Sequence, residues 1–441
     1  MAKQMKDSGI EWIGEIPAHW EMKRLKALFV ERKEKNDPVK TDFILSLGAA
    51  YGVVPYAEKE GGGNKAKEDL TDYRLAYPND IVMNSMNIIS GSVGISKYFG
   101  CVSPVYYMLY PRQDNVDPDF YCYLFQTKAF QRSLLGLGNG ILMKESSNGN
   151  FNTVRMRIPM EKLGIQLLPM PSYQEQKRIA EFLEQQAVEI DSVIAKTKAT
   201  IEEYKRLKLS IITSAVTKGI VSDRAMQDSN DEWIGTIPSS WETTRLKNIA
   251  TSFTKGNGIT KEDAVEDGDT PCVRYGEIYS KYNQAFTECV TRTNLSLISA
   301  PKYFTYGDIL FTCTGELVEE IGKSIVYLGD GECLAGGDII ILKHSQHPAF
   351  LNYALNSHYA QAQKSCDKTK LKVVHISASD IGNILLALPP IAEQKEIADY
   401  LDKKCAEIDT LIEKKTALLD EMESYKKSVI YEYVTGKKEV Q

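Results

Sequence analysis

The amino-acid sequence predicts an α+β protein with two similar halves, each a block of short strands and helices followed by one long helix. Three observations lead to this prediction. A stretch of about 43 residues has the apolar spacing of a coiled-coil helix, the same stretch returns 218 residues later, and a shorter repeat precedes each block. The 441 residues are enough for two or three domains that each have a core.

The first long helix is predicted from Ser172 to about Thr217. Ser172 and Glu175 fit a capping box, and Gly219 can supply a left-handed cap at the other end. Such a helix would be a rod of roughly 65 Å with one narrow apolar stripe, so it needs a partner. The stripe consists of residues that alternate in steps of four and three: Leu183, Ala187, Ile190, Ile194, Thr197, Ile201 and Tyr204.

The chain supplies that partner in a second copy of the helix, which begins at Glu393. Of the 43 aligned positions, 18 are identical, and the copies share Glu-Gln-Lys, Glu-Ile-Asp and Val-Thr. Two unrelated amphipathic helices would not share these groups, so we predict a duplication. The stripe of the second copy is Leu401, Cys405, Ile408, Ile412, Lys415, Leu419 and Met422.

A second repeat lies upstream of each block. Residues 7–26 return as residues 228–247 with 13 of 20 positions identical, and we name these two segments the clips. Trp12 and Trp20 of the first clip match Trp233 and Trp241 of the second. We predict that the indoles are buried against a neighbouring element, with ligand binding as the alternative.

The blocks between clip and long helix, about 27–166 and 248–385, share little sequence but keep a few anchors. Residues 79–82 and 307–310 each indicate a strand after a turn, with Asp80 and Asp308 as turn residues. Asp117-Pro118 and His347-Pro348 each precede a helical pattern. The duplication is therefore expected to have kept a frame while the inserts diverged. Residues 218–230 are predicted to be a linker, and the tail after Thr435 to be frayed.

Composition excludes several classes of protein. The net charge is −6 and the pI about 5.6, so strong DNA binding by the chain alone is not expected. Eight cysteines without Cys-x-x-Cys spacing indicate reduced, buried thiols, and neither a membrane-spanning run nor a signal-peptide core is present in the sequence. We therefore expect a cytoplasmic protein. His344 and His347 have no second ligand pair nearby, so no metal site is predicted.

The sequence carries no recognisable catalytic motif. Gly322-Lys323-Ser324 suggests a P-loop, but Leu317 stands where the motif needs glycine. The glycine run at 136–140 lacks a following βα unit with an acidic ribose partner. An Asn/Asp-Pro-Pro-Phe/Tyr motif, a Gly-x-Ser-x-Gly elbow and a nuclease-like carboxylate pair are also absent from the sequence. No catalytic residues are predicted.

These residues resemble the specificity subunits of type I restriction–modification systems. The resemblance covers the whole chain and rests on both copies of three motifs: Trp12-Ile13-Gly14 with Ile16-Pro17 and Trp20, Glu175-Gln176-Lys177 with Ile179-Ala180, and Glu189-Ile190-Asp191. It implies two target-recognition domains joined by an antiparallel coiled coil with an approximate two-fold axis. The domains expected are 1–168 (clip and first recognition domain), 169–220 (long helix), 221–386 (linker, clip and second recognition domain) and 387–441 (long helix).

The resemblance also implies what the chain does and with what. It would be non-catalytic, each recognition domain would read one half of a bipartite site in double-stranded DNA, and the helices would set the spacer. Two adenine-N6 methyltransferase subunits would dock on it, and restriction subunits would join. S-adenosylmethionine, ATP and Mg would be bound by those partners, and no cofactor by this chain. Two alternatives are a coiled-coil tether for two modules that do not bind DNA, and a single-chain modification enzyme.

Candidate DNA contacts are amide, hydroxyl, aromatic and basic side chains near predicted loops, because amides can bind adenine and cations can bind guanine or phosphate. The alternative for each is a solvated loop residue. In the first domain they are Tyr51, Lys65, Lys67, Asn84, Asn87, Lys144, Asn148 and Asn150; in the second they are Lys255, Asn257, Arg274, Tyr275, Thr312, Thr314, Lys364, Lys368, Lys370 and Lys372. Candidates for helix pairing and partner docking are Leu183, Ile190, Ile194, Ile201, Leu401, Ile408, Ile412 and Leu419.

Overall fold

The computed structural model describes residues 4–49, 51–59, 65–141, 155–315, 321–366 and 374–440. The chain forms two compact units. Unit 1 consists of Met1–Lys198 and Ala417–Gln441, and unit 2 of Ala199–Thr416. Each unit therefore contains one clip, one block and one part of each long helix. The domain boundaries expected from the sequence treat the helices separately and stay predictions.

Unit 1 is built from short strands, short helices and the first part of a long helix. Its strands are β1 (Met5–Asp7), β2 (Glu15–Pro17), β3 (Glu21–Arg24), β4 (Phe29–Arg32), β5 (Leu45–Gly48), β6 (Gly52–Pro55), β7 (Arg74–Ala76), β8 (Ile81–Asn84), β9 (Val93–Ile95), β10 (Gly100–Val102), β11 (Tyr106–Pro111), β12 (Asn139–Ile141), β13 (Arg155–Arg157) and β14 (Leu167–Met170). Its helices are α1 (Leu25–Leu28), α2 (Pro118–Gln126), α3 (Lys128–Ser133), α4 (Met160–Gly164) and the long α5 (Tyr173–Lys218), which continues into unit 2.

Unit 2 has the same kinds of element and ends in the second long helix. Its strands are β15 (Met226–Asp228), β16 (Thr236–Pro238), β17 (Glu242–Arg245), β18 (Ala250–Lys255), β19 (Thr270–Val273), β20 (Ala285–Phe286), β21 (Thr291–Thr293), β22 (Tyr303–Phe304), β23 (Ile309–Thr312), β24 (Thr314–Gly315), β25 (Ser324–Tyr327), β26 (Cys333–Ala335), β27 (Ile339–His344), β28 (Val374–His375) and β29 (Leu385–Leu388). Its helices are α6 (Leu246–Ile249), α7 (Tyr275–Ser280), α8 (Pro348–Leu355), α9 (His358–Ser365), α10 (Ala378–Gly382) and the long α11 (Ile391–Val434), which continues into unit 1.

A common frame underlies both blocks, although their sequences differ. The strand order β4-β11-β8-β9 in unit 1 corresponds to the strand order β18-β27-β23-β25 in unit 2. Every pairing of neighbouring strands within these two orders is antiparallel. The inserts differ. Unit 2 adds β20 parallel to β25 and has a second sheet, β21-β19-β26-β22, whereas unit 1 has the pairs β5-β6 and β7-β10. The α+β class and the expected divergence of the inserts are confirmed.

The predicted anchors of the frame are confirmed. Asp80 accepts a backbone hydrogen bond from Tyr77 and Asp308 one from Thr305, in the turns before β8 and β23. Asp80 also binds Arg32 with both carboxylate oxygens, at 2.8 and 3.0 Å. Helices α2 and α8 begin immediately after Asp117 and His347, whose side chains accept from the third helical N–H, as N-cap residues do.

Both ends of α5 agree with the prediction. Ser172 and Glu175 exchange the two hydrogen bonds of a capping box, and Gly219 has a φ of +75°, which favours glycine. The stripe is buried at Leu183, Ile190 and Ile201 and half-buried at Ile194. In α11, Leu401 and Ile408 are buried, and Ile412 and Leu419 are half-buried. The helix periodicity is therefore confirmed.

The clips pack as two small strand pairs. The first comprises β1-β2 and β3-β14, and the second β15-β16 and β17-β29. The predicted linker 218–230 is therefore partly wrong, because residues 226–228 form β15. The indoles of Trp20 and Trp241 are buried, as predicted, whereas Trp12 is half-buried. Trp233 is 45% exposed, so the prediction of a buried indole is wrong there.

The tail after Thr435 is also ordered up to Val440, contrary to the prediction. Lys437 donates from Nζ to the carbonyl oxygen of Ile13, and the backbone N–H groups of Lys437 and Lys438 bond to Glu432. At Gly436, a Cβ would lie 2.5 Å from Pro17. The tail therefore contacts both the first clip and the end of α11.

Each unit has its own main core, which joins clip, block and both long helices. In unit 1 it includes Trp20, Phe125, Leu183 and Val429. In unit 2 it includes Trp241, Phe350, Ile212 and Leu401. Because the long helices contribute to both cores, their apolar stripes are stabilised by tertiary packing, as a narrow stripe requires.

Other composition-based expectations have mixed outcomes. All eight cysteines are free thiols, and six are buried, but Cys289 is half-buried and Cys366 is exposed. His344 and His347 each accept a backbone hydrogen bond at Nδ1, which gives them structural roles. Among the described helices, none combines the length and apolarity that a membrane crossing requires.

Candidate nucleic-acid interface

In unit 1 the described candidate residues lie on three loops. Tyr51 lies in the turn of the β5-β6 hairpin, half-buried, with its ring over Gly48. Asn84 ends β8, and its side-chain oxygen accepts from the N–H of Met86; the half-buried Asn87 follows in the same turn. Lys65 and Lys67 are both exposed. Residues 52–53 of the hairpin lie within 3.3 Å of a Cβ placed on Gly94 of β9, so the hairpin packs against the β8-β9 pair.

In unit 2 the structure brings three candidates, Lys255, Asn257 and Arg274, to one region. Lys255 pairs with Asp338 at 3.4 Å, and the N–H of Asn257 bonds to the carbonyl oxygen of Ala335. The next residue, Gly336, donates to the carbonyl oxygen of Val273, beside Arg274. Arg274 caps helix α7 and is held by Glu277 at 2.7 Å. This region therefore presents one exposed and one half-buried cation, each beside a carboxylate.

Tyr275 and Thr314 line a separate cavity of about 1110 Å³ in unit 2. The cavity lies between α7, α9 and the strands β24 and β25. Tyr279 of α7 reaches across it, since its hydroxyl donates to the carbonyl oxygen of Thr314 at 2.9 Å. Trp233, Tyr279 and Lys323 also line the cavity, and the sequence reasoning did not name them as candidate DNA contacts. No sequence pattern marks Tyr279 or Lys323 as a cavity residue. Trp233 belongs to the second clip, and its exposure distinguishes it from the half-buried Trp12 of the first clip.

Two candidates are wrong, because their side chains lie in the protein interior. Thr312 is fully buried, and its hydroxyl lies 2.8 Å from that of Tyr279. Lys364 is 2% exposed and donates from Nζ to the carbonyl oxygen of Gly322; burial lowers the pKa of its ammonium group to about 7. Neither side chain can reach a base or a phosphate at the surface, so both leave the candidate set.

Six further candidates lie outside the described residues: Lys144, Asn148, Asn150, Lys368, Lys370 and Lys372. The remaining ones, in both units, stay predictions of DNA contact.

The Glu-Gln motif at the start of each long helix has a structural role. Glu175 accepts from the indole N–H of Trp20, and Glu393 accepts from that of Trp241 at 2.9 Å. The buried Gln176 accepts from the N–H of Asp117, and Gln394 accepts from that of His347. The motif therefore ties each long helix to a clip on one side and to the cap of α2 or α8 on the other.

The long helices pair side by side in each unit. In unit 1 the rings of Phe182 and Tyr433 are 4.6 Å apart, and Asp191 accepts from Lys426 at 2.6 Å. The residue number increases from Phe182 to Asp191 along α5, while that of the contacting residue decreases from Tyr433 to Lys426 along α11. The helices are therefore antiparallel. In unit 2 Lys208 donates to Asp409 at 2.7 Å. With the offset of 218, Asp409 is the copy of Asp191, and Lys426 is the copy of Lys208. Both units contain the same ion pair.

Close in sequence to each ion pair, both helices expose an apolar side chain. In unit 1 these are Val193, two residues after Asp191, and Tyr425, just before Lys426; they are 42% and 52% exposed. In unit 2 the copies are Leu411 and Leu207, at 42% and 49%. These exposed apolar residues therefore recur at equivalent positions in both units.

This architecture matches known proteins. A family model for the type I restriction modification DNA specificity domain matches residues 17–203 and 238–421. The type I restriction enzyme MjaVIII specificity subunit of Methanocaldococcus jannaschii is 24% identical over 451 residues, which cover 97% of this chain and 94% of that protein. The EcoKI specificity subunit of Escherichia coli is 24% identical over 255 residues, covering 55% and 52%.

Solved structures agree on the fold. A chain from a structure of a type I restriction–modification system superimposes with a TM-score of 0.71 at 16% identity, covering 96% of this chain and 99% of that one. The HsdS subunit from Thermoanaerobacter tengcongensis gives 0.51 at 14% identity, covering 96% and 98%. Fold and sequence together define a duplicated protein that determines DNA sequence specificity. The chain belongs to the type I restriction–modification DNA specificity family, and it is a sequence-specificity subunit of that class.

Proposed function

We propose that each unit reads one half of a bipartite site in double-stranded DNA. The shared frame with divergent inserts supports this, because one frame can hold two different sets of base contacts. Base contacts would come from residues of the two blocks. The exposed or half-buried candidates that remain are Tyr51, Lys65, Lys67, Asn84, Asn87, Lys255, Asn257, Arg274, Tyr275 and Thr314. The long helices would set the number of base pairs between the two half-sites.

The observation that carries the rest of the proposal is the duplicated helix surface. Each unit has the Asp–Lys ion pair and, close to it in sequence, one exposed apolar residue on either helix. Two copies of one surface can bind two copies of one partner in equivalent ways. We propose that each copy docks one DNA adenine-N6 methyltransferase subunit, and that restriction subunits join this assembly in the cytoplasm.

In this assembly the chain itself would be non-catalytic. S-adenosylmethionine would be bound by the methyltransferase subunits, and ATP and Mg by the restriction subunits. The negative net charge of the chain supports this division of labour, because the partners would then supply much of the contact to phosphate. DNA binding is therefore expected to be weak for the chain alone and to increase when the methyltransferase is added.

Native mass spectrometry of the chain with its cognate methyltransferase tests the docking. The parent chain should bind two copies. A Val193→Asp, Tyr425→Asp variant alters the surface of unit 1 only, and a Leu207→Asp, Leu411→Asp variant alters that of unit 2 only. Each should bind one copy, since a buried unpaired carboxylate opposes association, and the fourfold variant should bind none.

Val290→Asp provides the control, because Val290 is an apolar residue of the unit 2 insert that is 59% exposed. It should still bind two copies. A parent chain that binds a single copy, or a unit 1 variant that still binds two, would contradict the proposal of two equivalent docking surfaces.

A further inference from the structure

The cavity of unit 2 is lined by Trp233 of the second clip, and the two units differ in the residue available to pack on this tryptophan and on its copy, Trp12. In unit 1 Thr127 caps α3 and accepts from the N–H of Phe130; in unit 2 Ser357 caps α9 and accepts from that of Ala360. Ala360 therefore occupies the place of Phe130. The Phe130 ring packs edge-on against Trp12 at 5.8 Å, whereas an alanine methyl offers Trp233 no such cover.

The result is a cavity bordered by two exposed aromatic rings. Trp233 and Tyr275 both line it, and they are 45% and 44% exposed. Exposed rings beside a cavity are the usual means of stacking a planar heterocycle, and such stacking contributes about 1–3 kcal/mol per base. The matching Trp12 is half-buried and packs against Phe130, so Trp233 is the more exposed of the two indoles.

The cavity wall carries the polar groups that a heterocycle needs. Gln284 accepts through Oε1 from the amides of Asn352 and Asn356, each at 3.1 Å, and its own amide N–H groups have no partner among the described residues. The hydroxyl of Ser324 is buried and likewise unpartnered within the described part of the chain. Both residues line the cavity. A buried hydroxyl without a partner is costly, so a ligand that hydrogen-bonds to it would be favoured.

A cation is present at the same wall. Lys323 lines the cavity, and its ammonium group lies 5.7 Å from the ring centre of Tyr279 and donates to the carbonyl oxygen of Tyr282. Lysine binds phosphate as a compact charge with several donors. Two stacking rings, amides and a lysine around one cavity are the combination that recognises a base with its phosphate.

We propose that this cavity binds a nucleotide, with the base stacked on Trp233 and Tyr275 and the phosphate near Lys323. The nucleotide can be free in solution or part of a nucleic acid strand, since the recognising chemistry is the same. This site is separate from the helix surfaces above, and its argument does not depend on methyltransferase docking or on the half-site assignment.

Fluorescence of the full chain tests the proposal, because Trp233 is the most exposed of the four tryptophans. The arms are 5′-AMP, GMP, CMP and UMP at up to about 1 mM, a short single-stranded oligonucleotide, and inorganic phosphate. Nucleotide or oligonucleotide should quench the emission, and phosphate alone should not. Trp233→Phe should remove the quenching, and the matched Trp12→Phe should preserve it. Whichever of free nucleotide and oligonucleotide binds more tightly is identified as the source of the bound nucleotide.

Two cavity variants make the test specific, with binding followed by calorimetry. Tyr275→Ala removes an exposed ring and should weaken binding about 5- to 100-fold. Ala360→Phe restores the residue of unit 1, which covers the indole, and should abolish binding. If Ala360→Phe unfolds the chain, the affinity of Tyr275→Ala still tests the proposal. No binding in either nucleotide arm, quenching by phosphate alone, or full affinity in Tyr275→Ala would overturn the proposal.

Discussion

The residues that hold each unit together are the paired side chains at the start of the long helices. Glu175 accepts four hydrogen bonds: two from Ser172, through its backbone N–H and its hydroxyl, one from Trp20 and one from His19. Burial acts to raise the pKa of its carboxyl, but the hydrogen bonds from His19, Ser172 and Trp20 outweigh this effect and lower the pKa to about 2. The charged form is therefore the one that the fold stabilises.

Glu175→Gln should lower the free energy of unfolding at pH 7 by about 1–3 kcal/mol, since hydrogen bonds to a charged group are lost. Because the folded pKa is depressed, the contribution of Glu175 is complete above about pH 4.5 and is lost as the pH falls towards about 2. Denaturant unfolding at pH 7, 4.5 and 3 should show the variant losing less stability on acidification than the parent. Glu393→Gln is the matched variant at pH 7. Parallel acid profiles of parent and Glu175→Gln would refute this role.

Lys364 is a second residue whose environment leads to a testable pH dependence. Its folded pKa is about 7, against an ordinary value of 10.5. Between these values the unfolded chain binds more protons than the folded one, so stability should rise with pH over this window. Lys364→Met should remove this rise when unfolding is compared at pH 7 and 9.5. The exposed Lys255→Met serves as control and should keep the rise; an unchanged rise in Lys364→Met would rule out the buried ammonium as its source.

At the scale of elements, the two long helices are two copies of one duplicated helix. The stripe, the capping residues and the ion pairs all recur with the offset of 218, and even the polar interruption of the stripe, Thr197 and Lys415, recurs. The last α5 residue of unit 1 is Lys198, and its copy, Thr416, is the last α11 residue of unit 2. These two positions are therefore the equivalent places at which to change the length of the helix pair.

Inserting four residues after both Lys198 and Thr416 should lengthen the non-specific spacer of the DNA site while leaving both half-sites intact. Four helical residues add roughly 6 Å, which is close to two base pairs at about 3.4 Å each. The expected change is one or two base pairs, read out by mapping methylated adenines genome-wide in cells that express the chain with its methyltransferase. An insertion after Lys198 alone is the comparison variant. An active double-insertion variant with the parent spacer would show that the helices do not set the distance.

At the scale of the whole molecule, the duplication separates what is shared from what is specific. The sheet order β4-β11-β8-β9 and its copy in unit 2, the clips and the helix pairs are common to both units. The inserts differ most, and among the described residues only unit 2 has a second four-stranded sheet. Specificity for two different half-sites is therefore expected to be exchangeable one block at a time.

Replacing residues 27–166 by the corresponding block of another specificity subunit should change one half of the methylated motif and leave the other half unchanged. The reason is that the frame contacts of the block, to the clip and to Gln176, are made by elements that both units share. Exchange of residues 248–385 is the reciprocal control and should change the other half. Methylation mapping is again the measurement, and a change in both half-sites after a single exchange would disprove the assignment of one unit to one half-site.

The sequence by itself determined the two-fold repeat, the long helices with their caps, and the strands and helices that begin at Asp80, Asp117 and their copies. These features depend on local periodicity, on capping chemistry and on an internal repeat, all of which are present in the chain as written. Tertiary structure alone decided which polar and aromatic side chains reach the surface. Thr314 lines a cavity while Thr312, two residues away, is buried, and Lys364 is inside while Lys255 is outside. Trp233 is exposed although its neighbour in the clip, Trp241, is buried. The Phe130 ring packs against the matching Trp12, and the corresponding residue of unit 2 is Ala360 of α9, more than 120 residues after Trp233 in the chain. Burial depends on such distant neighbours, and a single sequence does not show which residues those are.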